Sequence, residues 1–198
     1  MTSIILSWAV LGLLMVTSLG LLLSRDWRWS LGFLAAQYVG MFWMVSLHWP
    51  FGLASIKLVT GWMATAALGV TRIDLSGDDQ ADVSSFSQGR FFRIFIAGIV
   101  LLLVIAATPG LESIIPGIER PVIAGGLLLM GMGLLQLGLS SSIMKITLGL
   151  LTIMAGFETL YAAMETSLLL AGLLSIINLG LALAGAYLLT SAPQEEVE

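Results

Sequence analysis

Cysteine is absent from this 198-residue chain, which removes disulfides, thiolate metal sites, iron–sulfur clusters and thiol nucleophiles together. Histidine occurs once, at His48, so paired axial histidines are excluded and a metal site would need carboxylates gathered from elsewhere. Charge is scarce. Charged residues make up 10% of the chain, against roughly 25% in an ordinary soluble domain. The net charge of -4 comes from 8 basic and 12 acidic residues, with Glu195, Glu196 and Glu198 at the very end. No basic face is available to attract nucleic acid. No nickel, iron or quinone site is assignable, no cofactor is expected, and no catalytic residue is assigned. Proline is also rare: Pro50, Pro109, Pro116, Pro121 and Pro193 are all expected at or beyond helix ends, where they do least harm.

What the chain does contain is hydrocarbon. Hydrophobic residues make up 58% of it, and the mean hydropathy is +1.02. Several runs exceed the ~18 apolar residues needed to cross about 30 Å of bilayer. The expected fold is an all-α polytopic membrane protein with about seven spans, near residues 3–23, 29–48, 51–70, 91–108, 121–141, 144–164 and 167–190. These group into a three-helix N-terminal unit (1–71), an acidic cytoplasmic loop (72–90), a fourth helix with an outer proline-rich loop (91–120), a second three-helix unit (121–190) and a disordered acidic tail (191–198).

Cytoplasmic loops concentrate Lys and Arg. Arg25, Arg28, Arg72, Arg90, Arg93 and Lys145 fall on one side of this topology and Arg120 on the other, which predicts the N-terminus outside and the C-terminus inside. The first apolar run has no preceding cations and is expected to be retained rather than cleaved. Trp8, Trp27, Trp29, Trp43, Trp49 and Trp62 lie mostly near span ends, where indole anchors at headgroup level. His48, at the end of span two, is expected at the interface, and Glu165 is expected to be solvated.

In such a chain the informative residues are polar groups within the spans. A charge at mid-membrane costs about 2.5–3.5 kcal/mol on insertion scales and tends to face protein or water. Lys57 and Glu158 each lie about six residues from the outer end of their spans, hence roughly 9 Å deep at 1.5 Å per residue. Equal depth makes a buried ion pair geometrically available. The competing reading of Lys57 is a side chain that snorkels outward. Gln37, Tyr38, Thr60, Thr65 and Asn178 are neutral polar groups within the spans and are expected to face other helices. Gln37, Lys57, Glu158 and Asn178 come from four spans within a few turns of the midplane, a set that resembles a hydrated proton relay. Glycines at Gly125, Gly126, Gly131, Gly133, Gly138, Gly149, Gly156 and in span seven permit close helix approach.

The run Leu13-Leu14-Met15-Val16-Thr17-Ser18-Leu19, the basic turn with Arg25 and Arg28, and then Gly32, Phe33, Ala36 and Gln37 resemble the start of hydrogenase-4 component E. Lys57 matches a lysine in the third span of that family. The stretch Pro121 to Leu189 is similar to the family's C-terminal part, itself similar to the small three-span subunit K of respiratory complex I and to the corresponding small component of multisubunit sodium/proton antiporters. The resemblance implies a helical subunit of a group 4 hydrogenase or formate-hydrogenlyase type complex in a bacterial inner membrane, linking antiporter-like subunits to a redox arm. One departure stands out. The family's acidic position falls on Met154 here, and the acid of this chain, Glu158, is one helical turn further on and on a similar face. Asn178 stands where subunit K has a glutamate.

Three classes of function therefore compete: a non-catalytic subunit of an ion-translocating redox or antiporter complex with Glu158, Lys57, Gln37 and Asn178 along a proton path; a structural membrane packing element that moves no ions; and a small stand-alone transporter. The expected partners are other membrane subunits and the bilayer.

Overall fold

Apolar runs of this length, most of them joined by connections of three to five residues, leave the backbone no partners in hydrocarbon except its own helical hydrogen bonds. The computed structural model describes residues 2–75, 89–115 and 117–191. Among them it forms seven helices and no strand: α1 (Thr2–Leu23), α2 (Trp27–Ser46), α3 (Phe51–Leu75), α4 (Arg90–Ile114), α5 (Arg120–Leu139), α6 (Ile143–Met164) and α7 (Leu168–Ser191). Six of these, all but α2, are long and apolar enough to cross a bilayer. This is the architecture of a multi-pass membrane protein. α2 is as long as α5, 20 residues each, but carries Arg28, Ser30, Gln37 and Tyr38. It packs on α1, α3 and α6, and Ser30, Gln37 and Tyr38 are buried against them while Arg28 is exposed.

Two spans run further than the sequence pattern indicated. α3 continues to Leu75, and α4 continues through Pro109 to Ile114. Pro109 therefore lies inside a helix, contrary to the expectation that every proline marks an end, and the first half of the expected outer loop is helical. A proline ring removes one backbone donor, a loss that membrane helices tolerate where neighbours or hydroxyls compensate. The preceding Thr108 is buried and its hydroxyl donates to the Val104 carbonyl at 2.7 Å, one residue before the Ile105 carbonyl whose i+4 donor the proline removes. The turn that follows contains Gly117 at φ 98°, the left-handed region that glycine enters without strain. The acidic segment expected to be a loop falls largely on residues 76–88, and the expected tail on 192–198, both outside the described residues.

The helices form two three-helix layers. α1 packs on α2 and α2 on α3; α5 packs on α6 and α6 on α7. The layers meet with α1 against α5, α2 against α6 and α3 against α7, while α4 lies along α5 and only lightly against α1. The closest association is between α5 and α6. A Cβ added to Gly156 would lie 2.7 Å from the Gly126 carbonyl oxygen, and one added to Gly133 would lie 2.8 Å from that of Gly149. Gly126 and Gly133 are seven residues apart, as are Gly149 and Gly156, so two antiparallel glycine steps face each other one heptad apart. Small residues at this spacing let helix backbones touch where hydrocarbon supplies no hydrophobic drive to association.

Most tryptophans lie on the outside as expected. Trp49 is the exception, only 4% exposed, with its indole N–H donating to the Glu165 carbonyl at 3.0 Å. It fastens the α2–α3 turn to the α6–α7 turn rather than anchoring in headgroups. Glu165 itself is exposed and His48 is half-buried.

Candidate functional site

α3, α6 and α7 each bring one turn of helix to the same depth, and a single ion pair joins them. Lys57 Nζ donates to Glu158 Oε1 at 2.9 Å and to the Ala171 carbonyl of α7 at 2.9 Å. The side chains are 2% and 1% exposed. Lys57 therefore does not snorkel; the aliphatic stem and the charged head are both enclosed. The choice follows from the local sequence. Ala54, Gly61 and Ala64 share the buried side of α3 with Lys57, and Ala155 and Ala162 flank Glu158 on α6. Small neighbours leave room for one long cation to cross to the opposite layer.

One turn deeper lies a second polar contact. The Tyr38 hydroxyl of α2 donates to Asn178 Oδ1 of α7 at 3.0 Å, and these two groups are also within 2.9 Å through Asn178 Nδ2. Both residues are buried. The Tyr38 ring packs directly on Gly61, where any side chain would collide with it. The ion pair and the tyrosine–asparagine contact thus occupy adjoining layers of the interface between the two halves of the bundle.

Of the four residues singled out by sequence, Lys57 and Glu158 are joined directly, and Asn178 is joined to Tyr38 rather than to either of them. Gln37 is fully buried beside Tyr38 in the chain, yet both atoms of its amide have no hydrogen-bond partner among the described residues. Glu158 Oε2 is likewise buried without a partner among them. A buried amide or carboxylate oxygen left unmatched costs about 1–3 kcal/mol, and internal water is the usual remedy at polar sites. Sequence reasoning placed Tyr38 among the polar groups of span two but missed it as the partner of Asn178. The available signal was its depth, eight residues from the end of α2 against ten residues from the start of α7.

At the rim of the bundle Ser7 of α1 donates to Glu119 Oε2 at 3.2 Å, and Arg120 Nε donates to Glu112 Oε2 at 2.6 Å. Neither contact reaches the buried pair in sequence position or depth. Among the described residues no three His, Asp or Glu side chains gather as metal ligands.

No family model, curated protein or solved structure matches the chain. The site's own chemistry therefore carries the functional argument.

Proposed function

We propose that this chain is a non-catalytic membrane subunit of a multisubunit ion-translocating redox complex or cation/proton antiporter, similar in kind to hydrogenase-4 component E, and that Glu158 is its proton-exchanging group. The observation that carries the reading is the Lys57–Glu158 pair. Ionisable groups within a membrane are expensive and concentrate on ion pathways, and replacing a buried pair with hydrocarbon is frequently neutral or stabilising. Packing alone therefore gives little reason for a carboxylate and an ammonium here. An ammonium with two acceptors and a carboxylate with one oxygen unmatched also form an incompletely satisfied site, which accepts a water or releases a proton more readily than a closed one.

In this reading Lys57 sets the proton affinity of Glu158 by opposing charge, the Tyr38–Asn178 contact continues the polar layer towards the midplane, and the Gln37 amide holds water beside it. α2 is the seventh span. The six cations at one end of the bundle face the cytoplasm of a bacterial cell and the N-terminal end faces outside, following the charge rule. Antiporter-like membrane subunits are the partners. The pair also pins α3, α6 and α7 together, which is the whole of its purpose if the chain only packs.

The test is Glu158→Gln in the assembled complex, with coupled ion transport measured in membrane vesicles and assembly measured by co-purification in mild detergent. The amide keeps the shape and a hydrogen bond to Lys57 but exchanges no proton. Loss of transport with intact assembly supports the reading; unchanged transport rejects it and leaves the packing role.

A further inference from the structure

We propose that the cleft bounded by α1, α4 and α5 is a binding site for one phospholipid with a zwitterionic, primary-amine headgroup. Because α4 follows α5 and touches α1 only lightly, the two helices stand apart over the α5 surface. The upper part of the cleft is a cavity of about 540 Å³ bounded at its rim by Trp8, Pro109 and Arg120 and reaching down to Leu101 and Leu128. A second cavity of about 150 Å³ shares Met15, Leu101 and Leu128 with it and continues to Ile94. The two make one channel open to the side. From Pro109 to Ile94 it spans about 22 Å of α4 at 1.5 Å per residue. That is half of a bilayer of about 40–45 Å including headgroups, the depth one lipid occupies.

Two glycines mark the channel as space the chain does not fill itself. At Gly12, on its α1 wall, and Gly98, on its α4 wall, an added Cβ would meet nothing within 4 Å. The glycines between α5 and α6, by contrast, are there because a neighbouring backbone leaves no room. The same open space is found at Gly110, Gly138, Gly172 and Gly180, so at Gly12 and Gly98 it shows that the chain leaves the channel walls uncovered.

The rim selects the headgroup. Arg120 is 63% exposed and, among the described residues, bonds Glu112 through Nε alone, which leaves the donors of its two terminal amino groups for a phosphate, which guanidinium binds well. Glu112 beside it, and Glu119 in the same turn, supply carboxylates. One cation between two acids repels a purely anionic headgroup, whereas a phosphate joined to a primary ammonium presents each charge to its opposite. A trimethylated amine has no N–H to donate to Glu112. The site is independent of the Lys57–Glu158 pair.

The experiment is native mass spectrometry of the full chain in mild detergent, titrated with palmitoyl-oleoyl phosphatidylethanolamine, phosphatidylcholine or phosphatidylglycerol. One ethanolamine lipid is expected to bind at least about tenfold more tightly than the other two, the size of one charge-assisted hydrogen bond. Arg120→Gln and Glu112→Gln should each remove about tenfold, and Gly12→Leu with Gly98→Leu should abolish binding, with helical circular dichroism retained. Should the leucine variant misfold, the exposed Arg120→Gln decides alone. Equal occupancy by the three lipids, or no change in Arg120→Gln, overturns the proposal. So does cross-linking of Gly12→Cys or Gly98→Cys to another protein, which would show that a partner helix fills the cleft.

Discussion

Removing the ammonium alone from the α3–α6–α7 junction should be far more damaging than removing both charges. Lys57→Met leaves the Glu158 carboxylate, 1% exposed, without its donor to Oε1 and with Oε2 still unmatched, and leaves the Ala171 carbonyl with one donor fewer. Breaking a buried pair in this way costs about 3–5 kcal/mol. Glu158→Leu alone strands the ammonium, which keeps the Ala171 carbonyl as its acceptor, and should cost at the lower end of the same range. The double variant Lys57→Met/Glu158→Leu removes both desolvation penalties and restores apolar contact across the interface, so its net effect should stay within about 1 kcal/mol of the native chain. The interaction energy of the cycle is then about 5–8 kcal/mol, above the 0.5–3 kcal/mol that contacting residues usually show, because each single variant strands a buried charge. Unfolding by sodium dodecyl sulfate in mixed micelles, followed by circular dichroism, reads all four proteins on one scale. Single costs that simply add in the double variant would refute the reasoning, because they would mean the two charges are separately solvated.

Gly156→Ala should destabilise the α5–α6 contact by about 1–3 kcal/mol, since the new methyl group meets backbone 2.7 Å away, while Gly180→Ala, with nothing within 4 Å, should be neutral or slightly stabilising in the same unfolding assay. Tyr38→Phe strips the Asn178 amide of its hydroxyl partner and should cost about 1–3 kcal/mol, with Tyr38→Phe/Asn178→Leu recovering part of the loss in the same measurement.

The number of helices and the depth of the ion pair were legible because both follow from counting along the chain. Lys57 and Glu158 stand six residues inside their helix ends, and rise per residue converts that to a common level. Facing was harder to read. Helices apolar on all sides carry almost no periodic signal, so nothing in α2 alone distinguished Tyr38, which meets Asn178, from Gln37, whose amide meets no partner among the described residues. Trp49 stands at a helix end like its anchoring counterparts, and its burial depends on the α6–α7 turn 116 residues away in sequence. Pro109 misled for a physical reason: the rule that proline ends a helix is strongest where water competes for the freed carbonyl, and it weakens in hydrocarbon. The glycines of α5 and α6 were visible as packing residues, but their pairing one heptad apart became apparent only with the register of the antiparallel helices. Of the acidic segment expected as a loop over 72–90, residues 72–75 continue α3 and residues 76–88 lie outside the described residues.

The most direct measurement of the central claim is coupled ion transport by the proposed complex carrying Lys57→Met/Glu158→Leu. This variant is expected to keep the helices packed while removing the ion pair at the junction of α3, α6 and α7. The account predicts normal assembly and abolished transport; transport at the native rate would contradict it.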